Sequence, residues 1–179
     1  SLTQSELNSF ETYKNLLQEY NKKFNLTTII KDESIYLKHF YDSLCLMKVV
    51  ELKTAKTILD IGTGAGFPGI PLAIINKDKK ITLVESNGKK VSFLTFLKEK
   101  LNLNNVEIYN SRAEDFAKAH REEYDIATSR AVSHLKIITE LEFPTIKVKG
   151  LFLPLKSNIE KELEVTKEFI KELDGSLEE

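Results

Sequence analysis

The sequence predicts an α/β fold, a parallel sheet covered on both faces by helices and preceded by a helical segment. Three observations carry that prediction. From residue 57 onward, short apolar runs alternate with segments of helical period, the pattern of βαβ units. A glycine cluster directly follows the first of those runs. The first fifty residues show helical periodicity alone. A length of 179 residues suits one domain, read as a helical cap over residues 1–50 and a core over 51–179.

The elements follow in order. Thr3-x-x-Glu6 is a capping box that opens the first helix. Leu7, Phe10, Tyr13, Lys14, Leu16, Leu17 and Phe24 mark its apolar stripe, along which the Lys14 stem can lie. Asn25-Leu26-Thr27-Thr28 breaks the period, and Asn25 and Thr27 are expected to fix that loop. A second helix is expected from Asp32 to Val50, with Ile35, Phe40, Leu44 and Met47 inward. Strands are predicted at Thr57–Ile61, Ile81–Glu85, Val106–Tyr109, Asp125–Thr128 and Leu151–Leu155. The helices between and after them are predicted at Gly69–Ile75, Lys89–Leu101, Glu114–His120, His134–Phe143 and Ile159–Leu173. Five strands joined by helices make a parallel sheet.

The glycine cluster reads Asp60-Ile61-Gly62-Thr63-Gly64-Ala65-Gly66-Phe67-Pro68-Gly69. Glycine suits a sharp turn that admits a ligand close to the backbone, and Pro68 suits a first helical turn. In α/β sheets the ligand binds outside the carboxyl ends of the strands, where this turn lies. Gly64-x-Gly66-x-x-Gly69 fits a dinucleotide fingerprint. Asp60-x-Gly62-x-Gly64-x-Gly66 fits the acidic glycine loop of S-adenosylmethionine (SAM) methyltransferases. The strand runs directly into Gly62, which favours the SAM register over NAD. Glu85 ends the second strand, where a carboxylate accepts from ribose hydroxyls of either ligand; it is otherwise a solvated strand-end acid. Ala113 and Glu114 follow the third strand, either at an adenine site or as an ordinary helix start favoured by the dipole.

Wider motifs resemble one family, the bacterial small-subunit (16S) ribosomal RNA guanine-N7 methyltransferases, also called glucose-inhibited division protein B. They are Tyr20-Asn21-Lys22-Lys23-Phe24-Asn25-Leu26-Thr27, His39-Phe40-Tyr41-Asp42-Ser43-Leu44, Asp60 to Pro71, and Gly88-Lys89-Lys90-Val91-x-Phe93-Leu94. Ser111-Arg112-Ala113-Glu114, Ser129-Arg130-Ala131 and Leu155-Lys156 complete the set. The resemblance implies a Rossmann-like class I SAM-dependent fold with a helical cap closing over the site. It implies SAM contacts at Gly62, Gly64, Gly66, Phe67, Glu85, Ala113, Glu114 and Arg130, with Asp60 included as the loop's acid. It implies a guanine in small-subunit RNA as the target. Phe67 stands where relatives often have leucine. The family sheet finishes with two further antiparallel strands, which this chain, whose last predicted helix ends near Leu173, is expected to lack.

Guanine N7 carries a lone pair and no proton, so the reaction needs positioning and no general base. Arg130 follows the fourth strand and is expected to orient guanine or the cofactor. An arginine fork can bind N7 and O6 together, but that would block N7, so contact with O6, a phosphate or the SAM carboxylate is expected. His39 and Asp42 share a helix face. His39 reads either as a buried histidine held by a carboxylate or as a clamp of the cap onto the glycine loop with RNA contact. Two such ligands fall short of a zinc set, and a single cysteine, Cys45, excludes disulfide frameworks and multi-cysteine metal sites. Asn25, Lys89, Lys90, Arg112 and Lys156, with Lys22 and Lys23, are candidate RNA contacts, although each lysine alone is also an ordinary solvated side chain.

The net charge of −1 at first discourages a nucleic-acid partner. However, residues 157–179 hold three lysines and eight acids, a net −5, and the remainder is net +4. That mildly basic body carries every motif. No stretch is long and apolar enough for a membrane span, and no basic-then-apolar leader opens the chain. The expected protein is a cytoplasmic monomer. The alternatives are a small-molecule methyltransferase of the same fold and a SAM- or RNA-binding module without turnover.

Overall fold

The computed structural model describes residues 1–130, 134–156 and 160–177. Ala131 of the Ser-Arg-Ala motif and the predicted helix start at Ile159 lie outside them. Helix α1 (Gln4–Phe24) begins at the expected capping box: Thr3 Oγ1 accepts from the Glu6 N–H at 3.3 Å and Glu6 Oε2 accepts from the Thr3 N–H at 2.6 Å. Asn25 ends it in the left-handed region at φ 47°, which asparagine tolerates better than most residues. Phe10, Tyr13, Lys14 and Leu17 form the buried face. Leu7 and Phe24, expected on that face, are exposed, because the core covers only the middle turns. Lys14 is buried by pairing as well as by its stem, at 2.8 Å from Glu11 and 3.1 Å from Asp32.

The second cap segment is not one uniform helix. It comprises α2 (Asp32–Ile35), a π-helical stretch (Tyr36–Tyr41), α3 (Asp42–Cys45) and a 3-10 turn (Leu46–Lys48). The π-helical i→i+5 pattern explains how Ile35 and Phe40, five residues apart, are both buried. Leu44 and Met47 pack half-buried against the same core. Helix α4 (Val50–Thr54) leads into the sheet.

Strands β1 (Thr57–Ile61), β2 (Lys80–Glu85), β3 (Val106–Asn110), β4 (Tyr124–Arg130) and β5 (Ile146–Leu155) form one parallel sheet in the order β3-β2-β1-β4-β5. The connecting helices are α5 (Gly69–Ile75), α6 (Gly88–Lys100), α7 (Ala113–Ala119) and α8 (Leu135–Glu142), and α9 (Glu160–Glu172) follows β5. β5 starts earlier than the predicted Leu151, because an irregular register opposite Tyr124 and Ile126 hides its first half from any alternating pattern. Its bend needs Gly150: an added Cβ would meet Ile146 at 2.3 Å and the Asp125 carbonyl at 2.7 Å.

Ile58, Ile81, Leu83, Val106 and Ile126 pack towards α5, α6 and the cap, while Leu59, Ile61, Val84 and Ala127 pack with Phe116 of α7. Both sheet faces are therefore buried, which gives the strands continuous apolar runs. Phe10, Tyr13, Leu17, Ile35 and Phe40 of the cap belong to the same core as the sheet. β1 lies between β2 and β4, so the connections leave it in opposite directions and a crevice opens at its carboxyl end.

Glu142, at the end of α8, is fully buried, with neither oxygen in a well-formed hydrogen bond among the described residues. Burial raises its pKa well above the ordinary carboxyl value. A carboxyl whose pKa is raised by folding stabilises the fold below its unfolded pKa, and that stability is lost as pH rises towards the folded value. Glu142→Gln removes this loss. In thermal melts the variant is expected to gain stability relative to the wild type as pH rises from 5 to 8; a constant difference across that range would contradict the burial argument.

Candidate active site

The carboxyl ends of four adjacent strands meet at the crevice. The loop after β1 turns through Gly62, Gly64 and Gly66, all at positive φ (66°, 63° and 105°). Gly62 donates to the Val84 carbonyl at 2.8 Å, which ties the turn to β2. The two sides of the loop differ. Among the described residues a Cβ on Gly64 would meet nothing nearer than the Gly62 carbonyl at 4.0 Å, so they leave this side open. A Cβ on Gly66 would lie 2.7 Å from both Ile70 and the Tyr13 hydroxyl, so that side is closed by the cap.

Asp60 and Glu85 hold this loop from different positions. Asp60 is fully buried beneath it: Oδ2 accepts from Thr63 Oγ1 at 2.6 Å and from the Gly69 N–H at 2.8 Å, while Oδ1 has no partner among the described residues. Burial pushes its pKa up to about 7, against the lowering effect of the Thr63 and Gly69 donors and Arg130. Asp60 is thus placed as a brace under the loop and not on its open side. Glu85 stands at the open side, where Oε2 accepts from the Gly64 N–H at 2.9 Å and Oε1 from the Asn87 N–H at 2.8 Å. Each carboxylate oxygen has a second lone pair to offer.

The cap reaches the loop at two points. Tyr13 donates its buried hydroxyl to the Ala65 carbonyl at 2.6 Å, and its ring stacks on Phe67 at 5.1 Å between centroids. From the second cap segment, His39 stacks on Phe67 at 4.2 Å. The Phe67 ring, with 3% of its surface exposed, is therefore covered by protein; the cofactor contact expected there is not one its side chain is placed to make. Arg130, at the end of β4, lies over the same ring, its guanidinium carbon 4.9 Å from the centroid. It donates through Nη1 to the Lys38 carbonyl at 2.9 Å, and Nη2 lies 2.7 Å from His39 Nδ1. Burial lowers the pKa of Arg130, opposed by Tyr13, Asp60 and Asp42. Among the described residues no carboxylate holds His39; its other nitrogen faces Thr27 Oγ1 at 3.0 Å.

The other expected residues spread along the crevice rim. Ala113 and Glu114 begin α7, with Arg112 exposed at its N-cap position. Lys89 and Lys90 occupy the first turn of α6, whose N–H groups are capped by Asn87 Oδ1 at 3.0 and 3.3 Å. Asn25 is exposed at the end of α1, and Thr27 rather than Asn25 reaches His39. Lys156 pairs with Glu162 of α9, which also accepts from the Leu135 N–H at 2.6 Å, so Lys156 is tied to α9. From the sequence, Tyr13 is a packing residue alone. Its place on the buried stripe is the available signal for more, since a buried tyrosine hydroxyl needs a partner.

Strand order, acidic glycine loop and strand-end carboxylate together define a class I methyltransferase architecture. Solved structures agree on the fold. The crystal structure of M. jannaschii TYW2 in complex with AdoMet matches with a TM-score of 0.64 at 18% identity, covering 82% of this chain and 65% of that one. Precorrin-6y C5,15-methyltransferase from Geobacter metallireducens matches with a TM-score of 0.54 at 17% identity over 69% of this chain and 68% of that one. More specifically, the chain belongs to the rRNA small subunit methyltransferase G family, whose model matches residues 6–176. The ribosomal RNA small subunit methyltransferase G of Clostridium botulinum (strain Eklund 17B / Type B) is 48% identical over 98% of this chain and 75% of its own length. That of Clostridium perfringens (strain SM101 / Type A) is 49% identical over 94% of this chain and 72% of its own.

Tyr13→Phe tests the link between cap and loop. It keeps the stack on Phe67 but leaves the buried Ala65 carbonyl without its donor, a loss of about 1–3 kcal/mol. Denaturant unfolding is expected to remain a single transition at a lower midpoint, with weaker SAM binding by calorimetry. A cap that unfolds first, with SAM binding unchanged, would separate the two parts.

Proposed function

We propose that this protein transfers a methyl group from SAM to N7 of a guanine in small-subunit ribosomal RNA. Family membership across residues 6–176 is the observation that carries this reading. The residues present also fit SAM. Among the described residues Gly64 has open space before it, Glu85 can accept from ribose hydroxyls, and the start of α7 follows β3, where the adenine would lie. Gly62, Gly64, Gly66, Glu85, Ala113 and Glu114 would hold the cofactor, with Asp60 bracing the loop below. When bound, SAM supplies an electrophilic methyl on a sulfonium.

The chain's own part is placement. Guanine N7 attacks with a lone pair already in the ring plane, so no proton leaves and no base is needed. The new N–C bond forms as the S–C bond breaks. Holding the reacting atoms about 3–3.5 Å apart in line is then the main contribution. In this reading Arg130, held at the end of β4 by Phe67, Lys38 and His39, orients guanine or the cofactor; its fixed position supports that role.

The RNA reading is supported by charge placement. Tyr20 near the end of α1 packs against Phe93 and Phe96 of α6. Thus Lys22 and Lys23 in the last turn of α1 lie at the same end of the molecule as Lys89 and Lys90 in the first turn of α6. That end carries the glycine loop. Arg112 extends the basic rim across β3. The proposed protein acts as one domain, as a monomer and in the cytoplasm; among the described residues no helix is long and apolar enough to cross a membrane.

The decisive experiment incubates the protein with labelled SAM and either small ribosomal subunits, naked 16S RNA or cell metabolites, followed by mass spectrometry of the RNA. A new 7-methylguanosine is expected; label in a metabolite alone would overturn the reading. Arg130→Ala is expected to lower methylation about 100-fold, the scale of losing one preorganised donor. Lys89→Ala with Lys90→Ala is expected to weaken RNA binding while sparing SAM affinity. It should reduce the salt slope by about 0.7 for each phosphate that the variant no longer neutralises.

A further inference from the structure

The His39–Arg130 contact has only one workable protonation pattern. A guanidinium donates and never accepts. With Nη2 2.7 Å from Nδ1, Nδ1 must present its lone pair. The ring proton then sits on Nε2, 3.0 Å from Thr27 Oγ1. Thr27 Oγ1 is able to accept it, as it also accepts from the Ile29 N–H at 3.1 Å. The Thr27 N–H is itself held by Asn21 Oδ1 at 2.8 Å. A chain of contacts thus runs from the end of α1 through Thr27 and His39 to Arg130.

The guanidinium is held at three points: the Phe67 face, the Lys38 carbonyl and His39 Nδ1. Arginine has five N–H donors; two are committed to these contacts, and the other three make no hydrogen bond within the described residues. Lys38 and His39 lie in the π-helical stretch, a geometry that often marks functional sites.

We propose that His39 is a positioning residue for methyl transfer, acting as the neutral Nε2–H tautomer to aim the three uncommitted donors of Arg130 into the crevice. The proposal rests on the methyltransferase reading. Arg130 fixes the tautomer, Thr27 accepts the Nε2 proton, and the stack on Phe67 sets the ring plane. Burial first, and then Arg130, hold the His39 pKa down to about 4, so the acceptor form prevails at neutral pH. The Lys38 backbone opposes that shift. The charged and titratable groups bearing on Arg130 are Tyr13 from α1, Asp60 from β1 and Asp42 from α3.

Two substitutions separate aiming from packing. In His39→Asn the side-chain oxygen takes the place of Nδ1 and can still accept from Arg130. In His39→Gln the carboxamide reaches the place of Nε2 and can keep only the Thr27 link. Each is assayed on small ribosomal subunits lacking the methyl group, beside Arg130→Ala and with thermal melts and SAM affinity measured. The expected result is that His39→Asn keeps kcat within about fivefold of wild type, whereas His39→Gln loses about 10- to 100-fold in kcat, the scale of a misplaced positioning group, with little change in SAM affinity. Wild-type activity should also fall on acidification towards pH 4 along a limb that His39→Asn lacks. Thr27→Val, which removes the acceptor of the Nε2 proton and leaves the ring stacked, should lower kcat in the same sense.

Equal loss in Asn and Gln variants, or Gln performing as well as Asn, overturns the proposal and leaves His39 a packing residue. Near-normal methylation by Arg130→Ala overturns the reading beneath it instead. Failure of the wild type to methylate the subunits does the same.

Discussion

The ring of Phe67 is the surface on which the rest of the site is assembled. Tyr13 from α1, His39 from the second cap segment and Arg130 from β4 all rest on it. Phe67 itself is the last loop residue before the short approach to α5, so its position depends on the glycine turn. Aromatic stacking adds a modest energy to area burial, but here it also fixes planes. The imidazole and guanidinium can meet at 2.7 Å only because one ring orients both. A branched aliphatic chain at this position would be smaller than the ring and would offer no flat face.

The electrostatics around that ring are those of a site kept partly dry. Asp60 and Arg130 are both disfavoured in their charged forms by burial, and each offsets the other's cost. His39, lying next to a cation, stays neutral and becomes an acceptor. The cation in this cluster is therefore a guanidinium, which does not lose its proton in proteins. The acid braces the loop from below, and the cation lies over the Phe67 ring beside His39.

Much of the fold is legible in the sequence because physics leaves local marks. Continuous apolar runs reveal strands buried on both faces, and the acidic glycine loop stands directly behind the first. The capping box at Thr3 marks the start of α1 within one residue. The failures have equally local reasons. The first half of β5 carries an irregular register, so its residues obey no period. The π-helical stretch reads as ordinary helix, although the five-residue step from Ile35 to Phe40 is its signature. Within the site, individual residues are visible but their pairings are not. His39 and Arg130 are 91 positions apart, and no spacing rule spans such a gap. Phe67 reads as a ligand contact because motifs record which residue is present and not which way its ring faces.

The cap has no core of its own; Phe10, Tyr13, Leu17, Ile35 and Phe40 complete the core that covers one face of the sheet. Lifting it breaks the Tyr13–Ala65 bond, strips both stacking partners from Phe67 and releases Arg130 in one event. Any opening of the cap would therefore take all of these contacts with it. Amide protons in the middle turns of α1 would exchange with solvent through such an opening, so their exchange rates would report how often the site itself comes apart.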